Sequence, residues 1–132
     1  MSRPRIPLYA SLALAGAAGG TLRYAISAGA AASGFDGWPW ATLAVNGLGC
    51  LVIGLYWRRF GAGSERPASA GRQAVVMTGF CGGLTTMSMF GVETWSFVAG
   101  GEFAAAAVYA TATLLTSLGA VAIGAARADA LS

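Results

Sequence analysis

Apolar residues dominate the chain in four long runs, separated by short polar or turn-forming stretches. The runs lie at about 7–32, 38–57, 74–98 and 103–126. Each has about the 20 residues that an α-helix needs to cross the hydrocarbon core of a bilayer. Backbone N–H and C=O groups find no water in lipid, so each run must satisfy them internally as a helix. The pattern predicts an all-α integral membrane protein, with residues 1–132 forming a single four-helix transmembrane domain.

Composition supports that class and argues against an enzyme. Of the 132 residues, 56% are hydrophobic and 10% charged, whereas a soluble domain has about a quarter charged residues. The chain has no His, so it lacks the most common general base and metal ligand, and its carboxylates are not clustered. Cys50 and Cys81 fall inside apolar runs and are interpreted as small buried hydrophobes, not as a disulfide or metal pair.

The basic residues indicate orientation rather than a nucleic-acid partner. Seven of them belong to the termini or to the middle loop: Arg3, Arg5, Arg58, Arg59, Arg66, Arg72 and Arg127. The other two loops contain only Asp36 and Glu102. The positive-inside rule therefore predicts a multi-pass protein of the cell inner membrane with both termini in the cytoplasm. The basic, apolar N-terminus also has the features of a signal peptide, but removing it would leave three spans and no soluble domain to secrete.

Small residues recur four apart in three of the runs, a spacing that lets helix backbones approach closely in lipid. The pairs are Gly16 with Gly20, Gly79 with Gly83, and Ala120 with Gly124. Packing within the protomer is the simpler interpretation. Since four spans leave little room for an internal path, an interface with a second copy is the alternative.

Several polar residues fall inside the runs, where they are costly and therefore candidates for function. They are Arg23, Thr42, Asn46, Tyr109, Thr113 and Ser117. Arg23 either extends to the interface or holds a positive field near an anion entrance. Asn46 shares a helix face with Thr42 and either serves a pathway or bonds a neighbouring helix. The last three draw a hydroxyl stripe along one face, unless they bond back to their own helix.

The third run contains the least helical stretch, residues 79–93. Gly82 and Gly83 followed by Thr85 and Thr86 make a poor helix interior, since each glycine weakens a helix by about 1 kcal/mol. A break there would free backbone carbonyls and amides at the centre of the bilayer, where they must be buried, line a cavity or hold an ion. The alternative is a glycine-rich packing kink.

Beyond this stretch three further side chains extend the polar and aromatic set. They are the hydroxyl of Ser88, the ring of Phe90 with its electropositive edge, and the carboxylate of Glu93 on roughly the same helix face as that ring. We therefore include them with the candidate pathway residues.

At this point the chain resembles the Fluc (CrcB-like) fluoride channels. The stretch at 79–90, GFCGGLTTMSMF, is similar to that family's G-x-x-G-G-x-T-T-F-S-T-F signature. GGTLRY at 19–24 resembles its GG-x-x-RY, and residues 42–54 resemble its T-x-x-x-N-x-x-G segment. The resemblance covers essentially the whole chain, with four spans in the same order.

The resemblance implies a passive fluoride exporter built as an antiparallel, dual-topology dimer with two narrow pores. Carried over by position, the carbonyls of Gly82 and Thr85 would help to coordinate a structural Na⁺ at the dimer interface. Asn46 would donate a hydrogen bond to fluoride, and Arg23 would match the arginine of the vestibule. The remaining pathway positions would be Thr42, Ser88, Phe90, Glu93 and the polar track Tyr109, Thr113 and Ser117.

Two positions depart from the family pattern. Met87 replaces the first phenylalanine of the pore's aromatic box, and Met89 replaces the threonine between the two phenylalanines. A thioether has neither an electropositive edge nor a donor hydrogen. The arginine bias is also stronger than dual insertion favours, so the second chain is expected to be either another copy or a sequence-related chain of opposite orientation.

Two other classes of protein compete with a channel. A proton-coupled exporter of the small multidrug-resistance kind relies on a carboxylate in its first helix, whereas residues 7–32 contain no Asp or Glu. A non-conducting scaffold subunit of a membrane complex would tolerate replacement of Asn46 or Phe90 without loss of fluoride tolerance.

Overall fold

Helices make up nearly all of the computed structural model, which describes residues 6–35, 37–61 and 63–130. No strand occurs in these ranges. Two of the arginines used to predict orientation, Arg3 and Arg5, lie outside the described residues, as does the acidic loop residue Asp36.

The helices follow one another in four rods, the third of which is composite. They are α1 (Ile6–Ala32), α2 (Trp40–Phe60), α3 (Ala70–Gln73), a π-helical segment (Ala74–Cys81), α4 (Gly82–Leu84), α5 (Met87–Ala99) and α6 (Phe103–Ala130). The third rod comprises α3, the π segment, α4 and α5. Ser69 caps its start by accepting a hydrogen bond from the backbone N–H of Arg72 at 3.4 Å. The turn before α6 uses Gly101 at a φ of 77°.

Three stretches of the described chain are long and apolar enough to cross a membrane: Trp40–Phe60, Ala70–Ala99 and Phe103–Ala128. Helix α1 is long enough, since its 27 residues extend about 40 Å, but it falls outside this set. Arg23 and the glycines of α1 reduce its mean hydropathy. The prediction of an all-helical, multi-pass membrane protein is therefore confirmed, and the crossing by α1 stays a prediction.

Close packing between rods depends on glycines, as the small-residue spacing predicts. Helix α2 packs mainly on α6, and α1 packs on the π segment and α4. A methyl group on Gly124 would overlap the carbonyl of Leu51, and one on Gly83 would overlap the carbonyl of Gly16. These contacts join helices of the same chain, so they favour packing within the protomer.

The buried core is small. The largest fully buried side chains are Tyr109, Leu84, Val45 and Cys81. Cys50 is half-buried, and both cysteines are free thiols, in line with their interpretation as small hydrophobes. Large apolar side chains instead cover the outer faces of the rods, which suits contact with lipid or with another transmembrane chain.

Candidate functional site

The third rod is interrupted at Thr85 and Thr86. Both residues have extended backbone, with φ/ψ of −79°/160° and −148°/119° respectively. An eight-residue π-helical segment precedes α4. Such segments are rare, and those that occur often lie at functional sites. The interruption lies between α4 and α5, at the glycine-threonine stretch that the sequence marks as a poor helix interior.

Asn46 of α2 binds both backbone groups of Thr86. The Thr86 N–H donates to Asn46 Oδ1 at 2.8 Å, and Asn46 Nδ2 donates to the Thr86 carbonyl at 3.1 Å. The side-chain amide therefore pairs with the extended residue as a neighbouring strand would. These contacts agree with the interpretation in which Asn46 bonds a neighbouring helix. Asn46 Nδ2 nevertheless carries a second N–H, which is available to another acceptor.

The hydroxyl of Thr86 caps the helix that follows. Thr86 Oγ1 accepts a hydrogen bond from the backbone N–H of Met89 at 3.2 Å and lies 3.2 Å from Ser88 Oγ. A threonine at the N-cap satisfies one of the backbone donors that a helix start leaves unpaired. This explains why α5 restarts only two residues after α4 ends.

These bonds leave particular carbonyls without their usual helical donors. In a continuous helix the Gly82 carbonyl would accept from Thr86 N–H and the Thr85 carbonyl from Met89 N–H. Both donors are bonded elsewhere, to Asn46 Oδ1 and Thr86 Oγ1. The carbonyl of Gly83, between them, accepts from Arg23 Nε at 3.1 Å. The interruption therefore frees the oxygens of Gly82 and Thr85, while Arg23 occupies that of Gly83.

Such a site suits a hard cation bound by main-chain oxygens rather than by acidic side chains. No group of three or more His, Cys, Asp or Glu residues that could hold a metal ion occurs in the described part of the chain. Oxygen ligands are those that hard cations prefer. The two freed carbonyl oxygens therefore fit part of the ligand set of a hard cation such as Na⁺.

A second cluster surrounds the carboxylate of Glu93 on α5. Thr42 Oγ1 donates to Glu93 Oε1 at 2.8 Å, and the Tyr109 hydroxyl donates to Glu93 Oε2 at 2.6 Å. Thr42 and Tyr109 are both buried. Because Thr42 lies one turn before Asn46 on α2, this cluster and the interruption adjoin along the same helix face.

Aromatic rings enclose Tyr109, which has no exposed surface. Ring centroids of Phe90, Trp38 and Phe97 lie 5.4, 5.9 and 6.0 Å from that of Tyr109. The sequence analysis did not include Trp38 and Phe97 among the candidate residues. The spacing of Phe97 from Phe90 and Glu93, seven and four residues, places all three on one helix face and would have indicated Phe97.

Thr113 lies one turn after Tyr109 on α6, in the same hydroxyl stripe. Its hydroxyl oxygen is buried and has no hydrogen-bond partner among the described residues. Back-bonding to the preceding turn does occur elsewhere, as Thr85 Oγ1 donates to the Cys81 carbonyl at 2.9 Å, but Thr113 does not use it. Ser117, one turn further, is half-buried. The stripe thus contains a buried hydroxyl that makes no hydrogen bond of good geometry, although it lies close to the Tyr109 hydroxyl.

The structure does not bring every predicted pathway residue into these clusters. Met87 is 76% exposed and Met89 43% exposed, and Ser88 also lies at the surface. Met87 therefore lies outside these clusters. Arg23 contacts Gly83 beside the interruption, and its role near an anion entrance stays a prediction.

Buried polar clusters inside a multi-pass helical bundle are costly and are typical of membrane transport proteins. A family model described as "CrcB-like protein, Camphor Resistance (CrcB)" matches residues 10–125. The chain therefore belongs to the CrcB-like family.

Known proteins are similar in sequence to this chain over most of its length. "Fluoride-specific ion channel FluC" of Rhizobium etli is 38% identical over 117 residues, covering 86% of this chain and 89% of the relative. "Fluoride-specific ion channel FluC 1" of Rhodopseudomonas palustris is 39% identical over 106 residues, covering 80% and 75%. The protein of that same name in Thermobifida fusca is 40% identical over 112 residues, covering 85% and 88%. These relatives are named as ion channels and not as enzymes.

Proposed function

We propose that the chain is a fluoride-selective channel that lets cytoplasmic fluoride leave the cell passively and so reduces fluoride toxicity. Membership of the CrcB-like family and the names of the relatives support the class. The observation that carries the proposal for this chain is the buried hydroxyl of Thr113, which lies in the Tyr109 stripe and has no partner among the described residues. An unpaired buried donor costs about 1–3 kcal/mol, a cost that a pathway donor recovers when it bonds an anion.

Fluoride is small and strongly hydrated, so a pore must replace its water shell with hydrogen-bond donors. The uncommitted N–H of Asn46 and the hydroxyls of Thr113, Ser117 and Ser88 are such donors, and the edge of Phe90 adds an electropositive contact. The hydroxyls of Thr42 and Tyr109 now donate to Glu93. Fluoride entering that cluster would therefore compete with the carboxylate for the same two donors.

We further propose that Gly82 and Thr85 hold a structural Na⁺ through their carbonyl oxygens. The support is the diversion of their helical donors to Asn46 and Thr86 Oγ1. When bound, the ion would supply a fixed positive charge that favours anions in a low-dielectric surrounding.

The proposed assembly is an antiparallel dimer, with a second copy or a sequence-related chain of opposite orientation, in the cell inner membrane. All four rods would cross the bilayer, and both termini of the main orientation would be cytoplasmic. The exposed surface of Met87 and Met89 beside the interruption supports a partner at that face. Such a partner would bring its own aromatic side chains next to Met87, where this chain lacks one.

Purified protein in liposomes is expected to release trapped fluoride, measured with a fluoride electrode, with little or no release of chloride. Robust flux from a pure preparation would support the homodimer and exclude an obligatory related chain. Flux restored only by adding a related chain would support the heterodimer. Equal release of both anions, or proton-coupled uptake of organic cations with no fluoride flux, would contradict the proposed function.

Replacing Thr113 with valine is expected to lower fluoride flux about tenfold while leaving the thermal stability equal or higher. Valine keeps the shape of the side chain but removes a buried hydroxyl that has no partner in the described structure, which is close to neutral for folding. Thr111→Val, at an exposed position of the same helix, serves as the control and should leave flux unchanged. Normal flux through Thr113→Val would remove Thr113 from the pathway.

A further inference from the structure

Arg23 makes a contact that a residue at a pore entrance does not need. Its Nε donates to the Gly83 carbonyl at 3.1 Å, between helices 60 residues apart in sequence, and the bond is partly buried. The backbones are close together here, because Gly83 packs on the Gly16 carbonyl of the same helix that carries Arg23. The guanidinium is therefore held at the end of α4 rather than extended into solvent.

This position places a permanent positive charge beside the two freed carbonyls. Gly83 adjoins Gly82, and Thr85 is two residues further along. Consecutive Cα atoms are about 3.8 Å apart, so the guanidinium lies within roughly 12 Å of both oxygens.

Two effects of Arg23 on a cation at these oxygens oppose each other. The hydrogen bond removes the Gly83 carbonyl from the set of free ligands and fixes the end of α4, which preorganises the oxygens on either side. The charge repels a second cation, and in a partly buried site such repulsion is only partly screened. Because an amide side chain would retain the hydrogen bond without the charge, substitution separates the two effects.

We propose that Arg23 is a positioning residue that lowers the affinity of the Gly82–Thr85 carbonyl site for Na⁺, so that its charge tunes how strongly the cation is held. This inference rests on the proposed Na⁺ site and goes beyond it. The site binds a monovalent cation against a fixed like charge, and loss of that charge tightens binding.

The test is Na⁺-dependent thermal stability of the detergent-purified protein, with Na⁺ replaced by N-methyl-D-glucamine in the reference buffer. A ligand that binds only the folded protein stabilises it by RT ln(1 + [L]/Kd). The Na⁺ concentration that gives a set rise in melting temperature, here called the titration midpoint, therefore follows the Kd without any measurement of flux. Arg23→Gln is expected to lower that midpoint about tenfold, and Arg23→Lys, which keeps the charge, is expected to leave it within a few-fold of the wild type.

The control is Arg72→Gln, which removes the same charge at an exposed position near the start of the third rod, and its midpoint should match the wild type. Should Arg23→Gln fail to fold, Ser27→Glu places a compensating negative charge one turn from Arg23 and is expected to lower the midpoint as well. An unchanged or raised midpoint in Arg23→Gln, or in Ser27→Glu if that variant is used, would overturn the inference.

No Na⁺ dependence in the wild type would overturn the cation site and the inference together. Fluoride efflux, measured separately, would still decide whether the chain is a channel.

Discussion

Gly83→Ala is expected to prevent the purified protein from forming a stable fold, because it adds a methyl group where two helix backbones touch. The new methyl group would overlap the carbonyl, carbon and Cα of Gly16, and backbone atoms cannot rotate aside as a flexible side chain does. Overpacking a close-packed interior typically costs 1–3 kcal/mol, and about 3 kcal/mol or more is expected here. The measurement is the melting temperature and the size-exclusion profile in detergent.

Comparison of neighbouring glycines makes this prediction specific. Gly19→Ala is expected to fail in the same way, because its methyl group would overlap the Phe80 carbonyl, whereas at Gly20 the nearest atom is at an ordinary 4.0 Å. Gly91, with nothing within 4 Å, should tolerate alanine or gain stability. Equal tolerance of Gly83→Ala and Gly91→Ala would show that α1 does not pack on α4 as described.

These glycines show which features of helix packing can be predicted from the sequence. The i, i+4 spacing indicated that Gly16 and Gly20 pack against another helix, and the helix does pack there. The residue with the tightest contact on α1 is nevertheless Gly19, between them. Spacing identifies a helix face, but the register between two helices decides which residue meets the partner backbone, and register depends on the whole interface.

The sequence likewise predicts the helices better than it predicts the contacts of their polar residues. Hydropathy alone predicts the rods, because apolar length and the absence of water in lipid leave no other backbone structure. The third rod starts at Ala70, four residues before its apolar run, because Ser69 caps polar residues that extend the helix beyond the run. Pairing of Asn46 with Thr86 across 40 residues of sequence was not predictable, since it requires α2 and the third rod to be aligned to within an ångström.

Trp38 lies in surroundings that the usual rule for tryptophan in membrane proteins does not predict. A tryptophan at the end of an apolar run is typical of the headgroup region, and this rule fits Trp40, which is half exposed. Trp38 instead folds inward onto Tyr109, edge to face with an interplanar angle of 87°. The positions of α6 and α5 beside the loop before α2 provide the rings of Tyr109 and Phe97 that Trp38 contacts.

Replacing Asn46 with leucine is expected to lower fluoride flux by more than 100-fold and to destabilise the protein by about 2–5 kcal/mol. Leucine has nearly the same volume but leaves both the N–H and the carbonyl of Thr86 unpaired in a partly buried place, at about 1–3 kcal/mol each. The Thr86 N–H would then be free to return to the Gly82 carbonyl, which favours continuing the helix. Flux from proteoliposomes and thermal stability in detergent together measure the two effects.

Asn46→Asp separates the positioning role of Asn46 from its role as a donor. Aspartate still accepts from the Thr86 N–H, so the interruption should persist, but its carboxylate has no N–H for an anion and places a negative charge in the pathway. Some loss of stability is expected of Asn46→Asp, because the Thr86 carbonyl loses its donor, together with flux reduced by more than 100-fold. Leu48→Ala, on the exposed face of the same helix, is the control and should change flux little. If Asn46→Leu were as stable and as conductive as the control, the amide would neither hold the interruption nor serve the anion, because either role requires hydrogen-bonding atoms that leucine lacks.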